Sequence, residues 1–115
     1  MNTSTVANRL IELCLASKFL EAQHELYDTD ITRVETDGTV TTGKETMHKQ
    51  EQRFLDRVEK INSTHFSSPM IAGKYFTVVL TMELELKNIG KTPLEEICVY
   101  KVEGGKIVFE QFFRG

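Results

Sequence analysis

Apolar residues repeat every three to four positions through most of the first half of the chain, which is the spacing of a helix with one buried face. In the first such segment, Val6, Leu10 and Leu13 form the apolar stripe. The spacing and the capping residues predict three helices, one capped by Thr3 or Ser4, one from Lys18 to about Tyr27 and one from about Lys44 to Lys60.

The second half alternates between two sets of residues, which is the period of a β-strand. The clearest example runs from Tyr75 to Lys87, where the alternation indicates a sheet with two unequal faces. The other predicted strands are Ile31–Glu35, Lys60–Phe66, Leu94–Glu103 and Lys106–Arg114, with a turn over Asn88–Pro93. This order predicts one α+β domain over residues 1–115, with its helices packed on one face of an antiparallel sheet.

The turn of the last hairpin has two solutions. A two-residue turn at Gly104-Gly105 pairs Cys98 with Gln111, whereas a three-residue turn over residues 103–105 pairs Cys98 with Glu110. We favour the three-residue turn, because it collects mainly apolar residues on one face. These are Ile97, Val99, Ile107, Phe109 and Phe113, accompanied by Gln111.

The other face of this hairpin is mixed, and it carries Glu96, Cys98, Tyr100, Val108, Glu110 and Phe112. If the helices cover the mixed face, the opposite face leaves a large exposed apolar patch, and such patches are usually interfaces. We therefore expect a homodimer formed through the sheet. The alternative is that the apolar face is the helix-covered core and the mixed face meets water.

Glu51 interrupts the apolar stripe of the third predicted helix. The other positions of that stripe are Met47, Phe54, Leu55 and Val58. A charged residue at such a position ordinarily lies at the rim of the core, where its carboxylate reaches solvent or a neighbouring base. We therefore expect a rim position for Glu51.

Composition narrows the class of protein. The 115 residues include 14 basic and 17 acidic side chains, for a formal net charge of −3. This slight acidic excess does not indicate a basic surface for binding a nucleic acid. No segment approaches the length of apolar chain that crosses a bilayer. Cys14 and Cys98 lie far apart without a CxxC pattern, and the first residues do not resemble a secretory signal, so two reduced thiols in a cytoplasmic protein are expected.

Four segments of the chain resemble the nuclear transport factor 2-like superfamily, in its SnoaL-like branch. They are RLIELCLASKFLEA, LYDTDITRVE, TGKETM and the terminal hairpin EEICVYKVEGGKIVFEQFF. The resemblance implies a cone-shaped fold, with three N-terminal helices against a curved antiparallel sheet and a pocket between them. The superfamily includes ketosteroid isomerase, polyketide cyclases, dehydratases and non-catalytic modules, so the fold alone does not define the function.

Ketosteroid isomerase offers a comparison residue by residue. Its general-base carboxylate corresponds to Glu35 here. Its oxyanion-binding tyrosine corresponds to Leu10, which cannot donate a hydrogen bond, and its protonated aspartate corresponds to Cys98, a weak donor. Because these donors stabilise the developing oxyanion, steroid isomerisation is disfavoured although a pocket is still expected.

Glu35 and Glu110 are the candidate catalytic residues, each able to move a proton in a pocket that raises its pKa. The ordinary alternatives are a solvated strand-end carboxylate for Glu35 and a structural hydrogen bond for Glu110. The residues expected to line the pocket are Phe19, Tyr27, His48, Phe54, His65, Cys98, Tyr100 and Phe112.

Metal and cofactor signals are weak. His24, His48 and His65 fall on three separate elements without ligand spacing, and the chain has no Walker, GxGxxG or GxSxG motif. We therefore expect no metal and no cofactor. Three hypotheses remain: an acid/base isomerase, cyclase or dehydratase, a non-catalytic binder of a small hydrophobic molecule, and a dimerisation module.

Overall fold

The computed structural model describes residues 1–115 and contains three helices and seven strands. In chain order these are α1 (Thr3–Leu15), α2 (Phe19–Leu26), β1 (Tyr27–Val34), β2 (Val40–Thr42), α3 (Lys44–Arg57), β3 (Val58–Phe66), β4 (Met70–Ala72), β5 (Tyr75–Leu86), β6 (Gly90–Glu103) and β7 (Lys106–Arg114). Helix α1 begins one residue earlier than expected from a Thr3 or Ser4 cap, because Asn2 is the N-cap and its side chain accepts a hydrogen bond from Thr5 N at 2.8 Å.

The strands form one sheet in the order β2-β1-β7-β6-β5-β3, and β4 pairs with β5. The pairing is antiparallel except between β1 and β7, which run parallel. The predicted α+β class and cone are therefore confirmed, whereas the purely antiparallel sheet is wrong at this one pair. The parallel pair is accessible because about 70 residues separate the two strands, ample for the crossover that parallel pairing requires.

The hairpin of β6 and β7 corrects the favoured sequence interpretation. Next to the turn, Val102 pairs with Ile107, as a two-residue Gly104-Gly105 turn requires. Beyond a register shift, Lys101 pairs with Phe109, which leaves Val108 as an extra residue in β7. Such a bulge moves every later residue of one strand by one position.

The bulge changes the cross-strand neighbours that the sequence predicted. Cys98 lies opposite Phe112 rather than Glu110 or Gln111, and Glu110 lies opposite Tyr100. The bulge also places Ile107 and Glu110 on the same face, although three positions separate them. Ile107 was expected on the outer apolar face and is instead fully buried in the core.

The helices cover the mixed face of the sheet. The buried core joins α1 and α2 to the inner sides of β1, β5, β6 and β7; it comprises Val6, Ala7, Leu10, Leu13, Cys14, Ala22, Leu26, Tyr27, Ile31, Met47, Phe76, Val78, Cys98, Tyr100, Val102 and Ile107. The alternation predicted for β5 is confirmed at its inner positions, where Phe76, Val78 and Met82 are buried.

The outer face is apolar across three strands. Val79 pairs with Ile97, which pairs with Phe113, and the three side chains are 39%, 48% and 47% exposed. Tyr75 on the same face of β5 is also exposed. The structure therefore has the uncovered apolar face on which the dimer expectation depends.

Some predicted element boundaries were wrong. Helix α3 ends at Arg57, three residues early, while β1 extends four residues further towards the N-terminus than predicted. The predicted turn over Asn88–Pro93 is largely strand, because β6 begins at Gly90. Proline is tolerated there, since Pro93 precedes the part of β6 that pairs with β7 and the lost backbone donor breaks no ladder on that side.

Two further features concern the helices and the cysteines. No helix is long and apolar enough to cross a membrane. Cys14 and Cys98 are both buried and unpaired, as expected from their separation in the sequence. The cytoplasmic location itself stays a prediction.

Candidate functional site

A cavity of about 310 Å³ lies between the helices and the inner face of the sheet. Its walls are mostly apolar, and six aromatic side chains from both layers contribute to them: Phe19, Tyr27, Phe54, Phe66, Tyr100 and Phe112. The Tyr100 ring packs edge-on against Phe112, with centroids 6.2 Å apart. A mainly apolar cavity with a few convergent polar groups is the usual composition of a small-molecule site.

A buried polar network lies behind one wall of this cavity. Glu110 is fully buried on β7. Its Oε1 accepts a hydrogen bond from the Tyr27 hydroxyl and its Oε2 accepts one from Arg33 Nε, each at 2.5 Å. Arg33 is the parallel-strand partner of Glu110, so the pairing of β1 with β7 brings the two charges together.

The network shifts the pKa of each member. Burial raises the pKa of Glu110, while Arg33 and the two hydrogen bonds oppose that shift. Burial also lowers the pKa of Arg33, but the carboxylate of Glu110 more than compensates and raises it overall, so Arg33 is a permanent cation. Burial together with the charge of Glu110 raises the pKa of Tyr27 well above its usual value, which keeps its hydroxyl a donor.

Three carboxylates and two guanidinium groups line the cavity: Glu35, Glu51, Glu96, Arg33 and Arg114. Arg33 Nη1 lies 3.7 Å from Glu35 Oε1, and Arg114 Nη2 lies 3.4 Å from Glu96 Oε2. Glu51 has neither an ion pair nor a hydrogen bond to another residue.

Glu51 lies in the cavity wall on α3 and is only partly exposed. Burial raises the pKa of its carboxyl group, Arg33 opposes this, and the negative charges of Glu110 and Glu96 raise the pKa further. This partial exposure fits the rim position expected from the sequence, and the carboxylate lines the cavity without a partner base. A raised pKa favours the protonated form of a carboxyl group, and that form can donate a proton.

Gln23 on α2 is a second polar residue in the wall without a partner. The residue is 4% exposed, and its Oε1 is buried without any hydrogen bond. Buried polar atoms are ordinarily paired, and an unpaired one costs about 1–3 kcal/mol. A ligand in the cavity could supply the missing donor.

The structure brings most of the predicted site residues to the cavity. Six of them line it, namely Glu35, Phe19, Tyr27, Phe54, Tyr100 and Phe112. Glu110 does not, because it lies behind Tyr27 and Arg33 with both oxygens occupied. Its alternative, a structural hydrogen-bonding role, fits this geometry.

The remaining predicted pocket residues lie elsewhere. His48 lies in a separate shallow depression beside His24, and His65 is exposed on β3. Cys98 is buried on the inner face of β6 and does not line the cavity. Burial raises the pKa of its thiol. These three positions were wrong because each depends on the exact register or helix face, which the sequence pattern does not define.

Sequence reasoning missed Arg33, Glu51 and Gln23 as cavity residues. A signal existed for Arg33, since strand alternation places it on the same face as Ile31 and Glu35. Glu51 carried a signal in its place on an apolar stripe. Gln23 had none, because its missing partner is a property of the folded packing.

The structure contains no group of three or more His, Cys, Asp or Glu side chains that could hold a metal ion. The polar side chains among the lining residues are carboxylates, guanidinium groups, two glutamine amides, two tyrosine hydroxyls and one thiol. This donor set is suited to hydrogen bonding and proton transfer.

The chain matches the profile of the SnoaL-like domain family over residues 1–114, and it belongs to that family. No curated protein matches it. Solved structures reproduce the fold at low identity. A candidate SnoaL-like polyketide cyclase from Mesorhizobium loti is 22% identical, with a TM-score of 0.89 and coverage of 98% of this chain and 99% of that chain.

Two further solved structures share the fold at still lower sequence identity. A nuclear transport factor 2-like protein from Burkholderia thailandensis is 12% identical, with a TM-score of 0.85 and coverage of 100% of this chain and 92% of that chain. A protein with a ketosteroid isomerase-like fold from Catenulispora acidiphila, in complex with trimethylamine, is 17% identical, with a TM-score of 0.74 and coverage of 90% and 83%. At these identities, the likeness shows the fold alone.

Proposed function

We propose that this SnoaL-like protein binds a small hydrophobic molecule in its cavity and catalyses an acid/base isomerisation, cyclisation or dehydration of it. The observation that carries the proposal is an apolar cavity of about 310 Å³ whose wall includes the carboxyl groups of Glu35 and Glu51. Apolar walls supply affinity through burial, and a few polar groups supply orientation.

The cavity separates this proposal from the pure dimerisation hypothesis. A module that acts only through its outer surface has no need of an internal space, and its aromatic side chains would be expected to fill the core to normal packing density. Here Phe54, Tyr100 and Phe112 line the space and leave it open.

The carboxyl groups of Glu35 and Glu51 have different environments, which supports different roles. Glu35 is 38% exposed and pairs with Arg33 at 3.7 Å, so it is the candidate proton acceptor. Glu51 has a pKa raised by burial and by nearby acids, so it is the candidate proton donor. Environments that differ in this way are typical of acid/base pairs. This assignment replaces Glu110 with Glu51.

Hydrogen–deuterium exchange of 2-tetralone tests the chemistry. This uncharged bicyclic ketone has exchangeable protons beside its carbonyl, and NMR in D₂O follows their loss. The wild-type protein should accelerate exchange, and Glu35→Gln should reduce the catalysed rate about 100-fold or more, within the range usual for general bases. Glu12→Gln is the matched control, since Glu12 is 70% exposed on α1 and outside the cavity. Equal rates in all three proteins would refute the acid/base assignment.

A cavity-filling substitution tests binding separately from chemistry. Leu55 lines the cavity, so Leu55→Trp should abolish the fluorescence enhancement of the neutral apolar probe N-phenyl-1-naphthylamine. Val40→Trp adds the same ring at an exposed position outside the cavity and should leave the enhancement unchanged. Enhancement that survives Leu55→Trp would place the probe elsewhere and contradict the proposed pocket.

We also propose that two copies associate through the outer sheet face. The row of Val79, Ile97 and Phe113 supports this, because it continues an apolar surface across three adjacent strands. Light scattering at micromolar concentration should give twice the chain mass of 13.2 kDa, and Ile97→Glu should give the monomer mass. A monomer mass for the wild-type chain would refute the dimer.

A further inference from the structure

Arg33 is held rigidly at the edge of the cavity. The residue is 7% exposed on β1, and its Nε donates to Glu110 Oε2, whose carboxyl group is in turn fixed by Tyr27. Its guanidinium carbon lies 5.1 Å from the centroid of the Phe112 ring. The carboxylate on one side and the ring on another orient the guanidinium plane, and a fixed fork loses little entropy on binding a ligand.

The remaining donors of Arg33 are free. Nη1 and Nη2 carry four N–H groups between them and make no hydrogen bond to another protein group; the ion-pair partner Glu35 Oε1 lies 3.7 Å from Nη1. Arg33 lines the cavity, so these groups can donate to a molecule inside it. An acceptor atom placed there would take a charge-assisted hydrogen bond.

The charges around the cavity select the kind of acceptor. Arg33 is balanced by the fully buried Glu110, and Arg114 is paired with Glu96. Glu35 remains, together with Glu51 when it is ionised, so the wall carries an excess of negative charge around the free Nη donors of Arg33. A carboxylate or phosphate ligand would meet like charges, whereas a neutral carbonyl oxygen would meet only the donors.

We propose that Arg33 is the oxyanion-binding group of this cavity and that its ligands are uncharged, enolisable carbonyl compounds. This inference rests on the proposed function. At the positions of the oxyanion donors of ketosteroid isomerase, this chain has Leu10 and Cys98, which cannot serve as strong donors. In the proposed site, Arg33 on β1 supplies the donors instead.

The proposed step balances without any further reactant. Glu35 removes a proton from the carbon beside the carbonyl, the C–H electron pair becomes the enolate C=C bond, and the carbonyl π pair moves to oxygen. The resulting oxyanion lies against Arg33 Nη. In a substrate with a C=C bond conjugated to the enolate, return of this proton from Glu35 to the far end of the dienolate completes an isomerisation. If Glu51 donates the proton instead, exchange with solvent returns Glu35 to its carboxylate and Glu51 to its acid form. Stabilising this charge with preorganised donors is the largest contribution that such a site makes.

Calorimetric titration with four naphthalene derivatives tests the proposal: naphthalene, 2-naphthol, 2-naphthoate and 2-(aminomethyl)naphthalene. The ring system measures the apolar pocket, and the substituent measures the donors and the charge. We expect 2-naphthol to bind about tenfold more tightly than naphthalene and more tightly than either charged derivative, because only its neutral oxygen can use Arg33 without like-charge repulsion.

Arg33→Lys keeps the charge that balances Glu110 but loses the planar fork, so it should remove the preference for 2-naphthol and leave naphthalene affinity within about twofold. The double variant Arg33→Met/Glu110→Gln removes both charges together and should behave in the same way, which covers the case in which the lysine variant does not fold. Arg9→Lys is the control, because Arg9 pairs with Glu12 and Glu25 outside the cavity.

The outcomes are distinct. If no derivative binds the wild-type protein, the proposed pocket fails and the inference fails with it. If naphthalene and 2-naphthol bind equally, the pocket stands and the role of Arg33 is overturned. Tightest binding of 2-naphthoate would overturn the uncharged class, and tightest binding of the aminomethyl derivative would show that the carboxylates, not Arg33, receive the ligand.

Discussion

The two faces of the sheet reverse the usual distribution of polar and apolar residues. The inner face, covered by helices, carries Glu96 and Glu110 along with Arg33. The outer face, open to solvent, carries the row of Val79, Ile97 and Phe113. Polar groups on a covered face cost free energy unless they are paired, and each of these three has a partner of opposite charge.

The helix-covered side of the sheet has two kinds of polar side chain, with and without a protein partner. Glu110 has both carboxyl oxygens paired and stabilises the parallel junction of β1 and β7. Gln23 and Glu51 have no protein partner. We expect changes in the first kind to reduce stability strongly, and changes in the second kind to reduce ligand binding while leaving or improving stability.

The largest effect is expected at Glu110. Glu110→Leu removes the buried, hydrogen-bonded partner of Arg33 next to the core, which should lower the free energy of unfolding by about 3–5 kcal/mol in urea denaturation. Glu95→Leu makes the same change at an exposed position of β6 and should lower the free energy of unfolding by less than about 1 kcal/mol. Equal losses in the two variants would show that the inner network is not a special source of stability.

A smaller loss is expected at Tyr27. Tyr27→Phe keeps the ring and removes the hydrogen bond to the buried carboxylate, at a cost of about 1.5–3 kcal/mol. Tyr75→Phe provides the matched change on the outer face, where the ring is 45% exposed, and should alter stability by less than about 0.5 kcal/mol. Thermal unfolding of both variants checks the difference, and a neutral Tyr27→Phe would contradict the hydrogen-bonded network.

Replacing Gln23 should raise stability rather than lower it. Gln23→Leu removes a buried oxygen without a partner, so it should stabilise the protein by about 1 kcal/mol while it weakens 2-naphthol binding. Gln111→Leu on the outer side of β7 should affect neither quantity beyond about 0.5 kcal/mol. A destabilised Gln23→Leu with unchanged binding would show that the amide is structural.

The smallest effect depends on pH. Burial raises the pKa of Glu51 above 4.5, so the folded state binds more protons than the unfolded state above that pH, and this residue's contribution to stability falls as the pH rises through its folded-state pKa. Glu51→Gln should therefore raise Tm at pH 7, with a gain that disappears below about pH 4.5. Glu59→Gln, at an exposed position of β3 without an ion pair, is the control and should leave Tm unchanged at both pH values. A gain that is independent of pH would contradict a raised pKa.

Local patterns predicted more of the fold than of the site. The alternation of β5 and the helical stripe of α1 were readable because each depends on neighbours along the chain. The faces of β7 were not, since the extra residue Val108 shifts the strand by one position without any sequence mark. Glu110 was correctly placed inside, but its partners Tyr27 and Arg33 lie 83 and 77 positions away and meet it only through the parallel pairing.

The site also shows why unpaired polar groups escape sequence reasoning. Glu35 could be identified from its place at the end of a predicted strand and from the family resemblance. Gln23 could not, because its side-chain oxygen becomes buried without a donor only when α2 packs over the cavity. Glu51 was visible as an anomaly, but whether its carboxylate reaches solvent or a cavity depends on the depth of the packing around α3.

NMR with methyl-labelled protein and 2-tetralone tests the central claim most directly. Nuclear Overhauser effects report which methyl groups lie within a few ångströms of the bound ketone. We expect contacts to Leu10, Leu55 and Leu84 in the cavity wall and none to Val79 or Ile97 on the outer face. Contacts confined to the outer-face methyl groups, or the absence of any contact at saturating ketone, would contradict the assignment of the cavity as the binding site.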